Sequence, residues 1–243
     1  FLDKSNVDVN SLRIWYGFNH WSGHVLFNDI ESDPTGSAIT GGCINPNGYP
    51  SVLVGSGANS FSFNTGSGYF DSESVFKTER VDFLNDSAGF TLLANIQDFD
   101  NYSNLDAGKT LLSTMRKGDD SSGFCLGLNG ANRIYFHFTD INGNVNKSIQ
   151  SKHEINNYAI FSIAYRPNAG ASDSYFDYAT HDIVNLEENV GEKWSTSTYH
   201  GRTNIKASNT LYVGDLYEQT SGYTGFKGSV GDVLIFKGIL STK

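Results

Sequence analysis

Alternation along one face is clearest in residues 133–140, where Ile134, Phe136 and Phe138 occupy every second position. Asn142-Gly143 lies in the turn that follows, and this dipeptide favours a type I′ turn because both central positions need positive φ. Residues 145–150 can supply the returning arm. The pattern therefore predicts an antiparallel β-hairpin over residues 133–150.

The rest of the chain shows short apolar runs separated by Gly, Asn, Asp and Ser, which is typical of β-sandwiches. Helical periodicity is nearly absent, and its best candidate is the short acidic stretch 182–193. Residues 90–97 and 159–165 are apolar enough to predict central strands. Residues 168–208 give no clear strand signal and predict a long irregular region, which is a candidate functional loop. Further strands are predicted at 12–18, 51–54, 60–63, 68–71, 109–115, 123–128, 210–213 and 229–236.

The strand pattern predicts a single all-β domain over residues 1–243, an antiparallel two-sheet sandwich with its core at about 12–240. Its composition indicates that aromatic side chains fill much of that core. The chain has 243 residues, of which 38% are hydrophobic and 14% aromatic. No repeat and no compositional break divides it. The side chains assigned to the core are Trp15, Phe63, Phe90, Phe161 and Phe236.

The net charge of the chain excludes some classes of binding partner. The net charge is −9, which argues against binding to nucleic acid or to an anionic membrane surface. The chain begins at Phe1 and its one Met is Met115, so we expect a processed chain or a part of a longer polypeptide or assembly. Cys43 and Cys125 fit no metal-binding spacing, and the sequence leaves open whether they form a disulfide or are free thiols.

The ordered series of glycine-flanked strands resembles the laminin G-like and concanavalin A-like lectin and glucanase domains. The closing segments carry most of this resemblance, namely Leu-Tyr-Val-Gly at 211–214 and Phe-Lys-Gly-Ser-Val-Gly-Asp-Val-Leu-Ile-Phe at 226–236. The resemblance implies a jelly roll and covers about residues 12–240. About forty residues separate Tyr165 from Thr210 where the family usually has a short hairpin, so the strand register there is open.

Catalytic constellations of such jelly rolls are not evident. Glucanases place paired carboxylates on one central strand, but no Glu-x-Asp-x-x-Glu run occurs, and the strands at 90–97 and 159–165 contain no carboxylate. Lyases use His and Tyr on strands, and Tyr135 with His137 is the nearest candidate. A solvent-facing cross-strand pair is the favoured interpretation of these two residues. We therefore expect a non-catalytic domain.

Carboxylate and amide oxygens follow the strand at 90–97 and suit Ca²⁺, which relatives often bind on their loop rim. The candidate ligands are Asp98, Asp100 and Asn101. An ordinary solvated turn is the alternative. Asp232, in the closing strand, is interpreted as structural and bonded to a neighbouring strand or turn.

Aromatic residues in predicted loops are candidates for stacking on sugar rings, with polar neighbours to bind hydroxyl groups. The alternative is that these aromatics pack down to cover their own loops. The candidate ligand-binding residues are Trp21, His24, Tyr102, Trp194, Tyr199, His200 and Arg202.

The sequence therefore predicts a carbohydrate-binding or adhesion module, and the resemblance to the laminin G-like and concanavalin A-like domains implies an extracellular, cell-surface or virion protein, such as a tail fibre or spike. Its expected partners are a glycan or polysaccharide and other subunits of an assembly, including further copies of itself. The alternative is a structural virion or surface-assembly protein with protein–protein contacts only. A polysaccharide-degrading enzyme is the third alternative.

Overall fold

The structure, a computed structural model, contains two packed β-sheets. It describes residues 11–17, 21–22, 25–26, 51–54, 62–64, 67–71, 75–79, 81–85, 88–97, 99, 108–114, 123–140, 146–150, 154–155, 158–167, 173–182, 195–200, 203–204, 210–214 and 223–240.

Nearly all the described residues lie in β-strands, and a 3₁₀ turn at Asp82–Asn85 is the one helical element among them. The strands are β1 (Leu12–Tyr16), β2 (Trp21–Ser22), β3 (Val25–Leu26), β4 (Ser51–Val54), β5 (Ser62–Asn64), β6 (Ser67–Asp71), β7 (Val75–Glu79), β8 (Phe90–Gln97), β9 (Gly108–Ser113), β10 (Phe124–Leu128), β11 (Ile134–Asp140), β12 (Asn146–Gln150), β13 (Tyr158–Pro167), β14 (Asp173–Asp182), β15 (Ser195–His200), β16 (Thr203–Asn204), β17 (Thr210–Val213), β18 (Tyr223–Gly225) and β19 (Lys227–Lys237).

The strands form an eight-stranded and an eleven-stranded sheet. The eight-stranded sheet has the order β15-β14-β13-β8-β19-β6-β5, and β1 also pairs with β19. The eleven-stranded sheet has the order β12-β11-β10-β9-β17-β7-β4-β3-β2, with β16 on β11 and β18 on β9. All pairs are antiparallel except β18 with β9. The predicted all-β, antiparallel two-sheet sandwich is confirmed.

The predicted hairpin is confirmed by the register of β11 and β12. Tyr135 pairs with Gln150 and Thr139 pairs with Asn146, so the two arms meet as the alternation indicates. The turn at 141–145 and the candidate helix beyond Asp182 lie outside the described residues.

The expectation of an irregular region at residues 168–208 is wrong. Two strands of that region, β14 and β15, extend the eight-stranded sheet beyond β13, and β16 pairs with β11. Tyr165 pairs with Phe176, which settles the register that the sequence left open on the β13 side. Because β15 contains only Ser, Thr, Tyr and His, it lacks the apolar alternation that reveals a half-buried strand.

The inner faces of the two sheets pack through aromatic rings. Phe90 of β8 stacks on Phe124 of β10 with ring centroids 5.7 Å apart, and Phe124 stacks on Phe136 of β11 at 5.3 Å. Farther along the sandwich, Phe70 of β6 meets Phe76 of β7 edge-on at 6.0 Å. These contacts show that β8 lies over β10 and that β6 lies over β7.

The assignment of Phe236 to the core is confirmed, because this side chain is 1% exposed, whereas Trp15 is only partly buried. Phe236 is buried in a second cluster with Leu12 and Leu234, and Trp15 is only partly buried against that cluster. In β8, Phe90, Leu92, Ala94 and Ile96 belong to the central core, whereas Leu93 packs on the second cluster. The second cluster therefore lies on the outer face of the eight-stranded sheet. Phe90 belongs to the central core as expected, whereas the side chains of Phe63 and Phe161 lie outside the description.

The interpretation of Tyr135 as solvent-facing is also wrong, because Tyr135 is buried at 6% exposure. Its hydroxyl lies 3.4 Å from Sγ of Cys125, and that sulfur lies 3.3 Å from Oγ1 of Thr110. Cys125 is a free, buried thiol. The side chain of His137 and the whole of Cys43 lie outside the described part of the chain.

Candidate functional site

Two of the predicted ligand-binding residues, Tyr199 and His200, end the edge strand β15. Tyr199 pairs with Ser174 and His200 pairs with Asp173 of β14. The backbone therefore brings two cross-strand pairs to one corner of the eight-stranded sheet, and because strand residues alternate between faces, the Tyr199–Ser174 pair and the His200–Asp173 pair belong to opposite faces. Such residue types are suited to binding sugar hydroxyl groups.

Trp21 belongs to a different place in the fold. It lies in β2, the last strand of the eleven-stranded sheet, and pairs with Leu26. Because β8 lies over β10 and β6 over β7, β15 and β2 extend toward opposite edges of the sandwich. Trp21 therefore does not share one site with Tyr199 and His200.

The remaining predicted ligand-binding residues, His24, Tyr102, Trp194 and Arg202, lie outside the described residues. The same holds for the candidate calcium ligands Asp98, Asp100 and Asn101. Phe99, between two of these ligands, is described and is 3% exposed.

A site that the sequence did not single out lies on the outer face of the eight-stranded sheet. Nε1 of Trp15 in β1 donates a hydrogen bond to Oδ1 of Asp232 in β19 at 2.8 Å. The hydrogen bond confirms the interpretation of Asp232 as bonded to a neighbouring strand. The indole and the carboxylate are both partly exposed, so the same pair borders solvent.

The backbone of β19 bulges at this point. Its register with β8 shifts between Val230 and Val233, so Gly231 and Asp232 together face Asn95. On the other side of β19, the registers with β6 and β1 end at the same two valines. Bulges re-aim side chains and are frequent beside functional sites.

The sequence contained one signal for this bulge. Gly231-Asp232 interrupts the apolar run of the closing strand, whose flanking residues Val230 and Val233 are both buried. An interruption of this kind in a central strand indicates a bulge or a close backbone approach. The partner of Asp232 could not be found from sequence because Trp15 is 217 residues away.

In the part of the chain that the structure describes, no three or more His, Cys, Asp or Glu side chains assemble into a group that could hold a metal ion. No helix in the described residues has the length and apolar character needed to span a membrane.

Comparison with known proteins shows the fold. No protein-family model matches the sequence, and no curated protein is significantly similar to it. The binding domain of botulinum neurotoxin serotype D superposes with a TM-score of 0.60 and 14% identity, over 96% of this chain and 50% of that chain. The receptor-binding domain of botulinum neurotoxin type G superposes with a TM-score of 0.53 and 17% identity, over 79% of this chain and 44% of that chain.

A more distant likeness exists to the carbohydrate-binding module CBM40 of the Ruminococcus gnavus IT-sialidase, whose structure holds α2,3-sialyllactose. Its TM-score is 0.44 at 12% identity, over 63% of this chain and 77% of that chain, and it carries no argument here. The chain spans about half the length of the neurotoxin domains that it matches. At these identities the likeness to the neurotoxin domains establishes the sandwich fold alone.

Proposed function

We propose that this chain is a non-catalytic carbohydrate-binding or adhesion module of the laminin G-like, concanavalin A-like class. We place it in an extracellular, cell-surface or virion protein such as a tail fibre or spike. The observation that carries the proposal is the register of β14 and β15, which places Tyr199 beside Ser174 and His200 beside Asp173 at one corner of a sheet. Several domains of similar fold are described as binding or receptor-binding domains, which supports the same interpretation.

The ligand in this proposal is a glycan or polysaccharide bound at the β15 corner. Arg202 follows β15 two residues after His200 in sequence, whereas Trp194 precedes its other end. Tyr and Trp rings cover the apolar faces of sugars, while carboxylate, hydroxyl and imidazole groups bind their hydroxyls. Weak single sites of this kind gain avidity when several copies are held in one assembly.

Calcium is a proposed addition to this site. Asp98, Asp100 and Asn101 follow β8 and offer the hard oxygen ligands that Ca²⁺ prefers. Tyr102 follows them directly, so an ion there would order a further candidate aromatic residue.

A structural role in an assembly is the second candidate, and the outer-face cluster favours it. Trp15, Leu93 and Leu240 are partly buried apolar residues packed on Leu12, Leu234 and Phe236. Exposed apolar surface of this kind also suits protein–protein contact. The third alternative, polysaccharide degradation, would require carboxylates or a His–Tyr pair to converge in one cleft.

A glycan array probed with the purified chain tests the proposal, once in calcium and once in chelator. We expect binding to neutral or acidic glycans that falls at least about tenfold in Tyr199→Ala and His200→Ala. Trp21→Ala is the matched control, because Trp21 lies at the far edge of the sandwich. Loss of binding in chelator would support the calcium site.

The contrary result is also defined. An array that stays silent in both conditions, together with a homo-oligomer in light scattering, would favour the structural role. Hydrolysis or cleavage of an arrayed polysaccharide would favour the enzyme.

A further inference from the structure

Two polar side chains at the bulge in β19, Asn95 of β8 and Asp232 of β19, keep hydrogen-bonding groups that have no partner among the described residues. Asn95 makes no side-chain hydrogen bond to the described residues, and its Oδ1 is buried without a partner among them. A buried amide oxygen without a partner costs stability, and such groups commonly mark a place where water or a ligand binds. Rotation about the Cβ–Cγ bond exchanges Oδ1 with Nδ2, so this amide can offer either an acceptor or a donor.

Asp232 supplies a carboxylate of which one oxygen is held by a hydrogen bond and the other is not. Oδ1 accepts the indole N–H of Trp15 at 2.8 Å. The second oxygen of Asp232 has no hydrogen bond or ion pair within the described ranges. A carboxylate has about four acceptor positions, so most of its capacity remains for a ligand.

Gly231 explains how the amide comes to lie at the bulge. A Cβ built on Gly231 would lie 2.8 Å from Nδ2 and 3.1 Å from Cγ of Asn95. Its φ is not among the positive glycine φ angles, so a Cβ at this position would displace the Asn95 amide and would not strain the backbone. The Asn95 amide therefore lies against bare backbone, directly beside the residue that carries the carboxylate.

We propose that Asp232, Asn95 and the partly exposed indole of Trp15 form a subsite for two adjacent hydroxyl groups of a neutral sugar. One hydroxyl donates to the free oxygen of Asp232, and the Asn95 amide bonds to its neighbour. The indole covers an apolar face of the ring. The proposal rests on the proposed carbohydrate-binding function and adds a second contact region, distinct from the β15 corner.

The charge of the subsite selects the ligand class. Asp232 is not neutralised by a cation among the described residues, and the chain carries a net charge of −9. A sugar that bears a carboxylate or sulfate would be repelled by both. We therefore expect neutral hexoses or their oligomers to bind in preference to sialylated or sulfated glycans.

Titration of the full chain with neutral and with acidic oligosaccharides tests the subsite. We expect Asn95→Ala to weaken binding of the neutral ligand several-fold and Asp232→Asn to weaken it about tenfold or more, because the latter removes a charged acceptor. Gln97→Ala, two residues along the same strand, is the matched control and keeps full affinity. The indole N–H resonance of Trp15, assigned by its absence in Trp15→Phe, shifts when the neutral sugar is added.

A pair of variants separates binding from stability. Gly231→Ala lowers the melting temperature because the new methyl group collides with Asn95, and Asn95→Ala in the same chain restores it. Binding stays weak in both, since the amide is displaced in one and absent in the other. A purely structural role predicts restored melting temperature with unchanged affinity, and that result would overturn the subsite.

The failures of the two proposals differ. If the native chain binds glycans but Asn95→Ala and Asp232→Asn bind equally well, the subsite is wrong and the β15 corner stands. A preference for acidic glycans overturns the ligand class. If the native chain binds no glycan at all, the proposed function itself fails, and the subsite fails with it.

Discussion

The hydroxyl of Tyr16 and Oγ1 of Thr78 lie 2.7 Å apart and join the two sheets through the centre of the core. Tyr16 belongs to β1 of the eight-stranded sheet and Thr78 to β7 of the other, and neither side chain is exposed. Polar groups in a core specify one arrangement only when they are satisfied. This hydrogen bond therefore fixes how the sheets are placed relative to each other.

Removal of the Tyr16 hydroxyl tests that hydrogen bond. We expect Tyr16→Phe to lower the free energy of unfolding by about 1–2 kcal/mol, because the bond is lost in a buried place. Thr78→Val should cost a similar amount. Urea unfolding of both single variants and the double variant gives the coupling between them, expected at about 1 kcal/mol. Strictly additive losses would show that the two hydroxyls do not interact.

Gly127 is fixed by the close approach of a neighbouring backbone. A Cβ there would collide with the carbonyl oxygen of Lys109, where the register of β10 and β9 shifts. Backbone atoms cannot move aside as the end of a flexible side chain can. We expect Gly127→Ala to cost more than about 3 kcal/mol or to prevent folding, as seen in soluble yield and thermal melting.

Gly238 is the matched control for that steric effect. A Cβ at Gly238 meets nothing within 4 Å, but the residue has a φ of 88°. Gly238→Ala should therefore cost only about 1 kcal/mol, from backbone strain alone. Equal losses at the two glycines would contradict the steric explanation for Gly127.

Much of the fold could be predicted from the sequence because local patterns encode it. The Asn-Gly turn and the alternation in β11 gave the hairpin, and the apolar run of β8 gave a central strand. β14 and β15 were missed because their order depends on strand pairing, β14 with β13 and the Ser-, Thr-, Tyr- and His-containing edge strand β15 with β14, which is a tertiary effect. Local composition does not report that effect.

The candidate site was less predictable, for a different physical reason. Tyr199 and His200 were selected as loop residues, yet they lie in a strand. The Trp15–Asp232 contact joins residues 217 positions apart, and Gly231 has meaning only once Asn95 is known to lie over it. Contacts of this kind depend on strand order and register, and these were known only from the folded structure.

Cys125 should be inert in the native chain. Its side chain has no exposed surface, and its sulfur lies near Oγ1 of Thr110 and the hydroxyl of Tyr135. A thiol reagent needs an accessible thiolate, which this environment withholds. In a Cys43→Ser background, we expect labelling of Cys125 only at the rate of unfolding, followed by mass spectrometry. Labelling at the rate of a free thiol in the native state would show that the face of β10 opposite the central core opens to solvent.

A side chain of β8 helps to hold the end of β19, where the amides of Lys237 and Gly238 also donate to the carbonyl oxygens of Ser11 and Gly89. Oγ1 of Thr91 donates to the carbonyl oxygen of Gly238 at 3.0 Å and accepts the amide N–H of Leu240 at 3.0 Å. Thr91→Val keeps the shape of the side chain but removes both bonds. Leu240 packs beside Trp15 on the second cluster, the one on the outer face of the sheet. Loss of the Thr91 hydrogen bonds therefore loosens that cluster and leaves the packing of the central core unchanged. We expect the Leu240 amide to exchange at least about tenfold faster in Thr91→Val, while amides of β10 keep their protection. Equal acceleration throughout the chain would mean that Thr91 supports global stability instead of this local attachment.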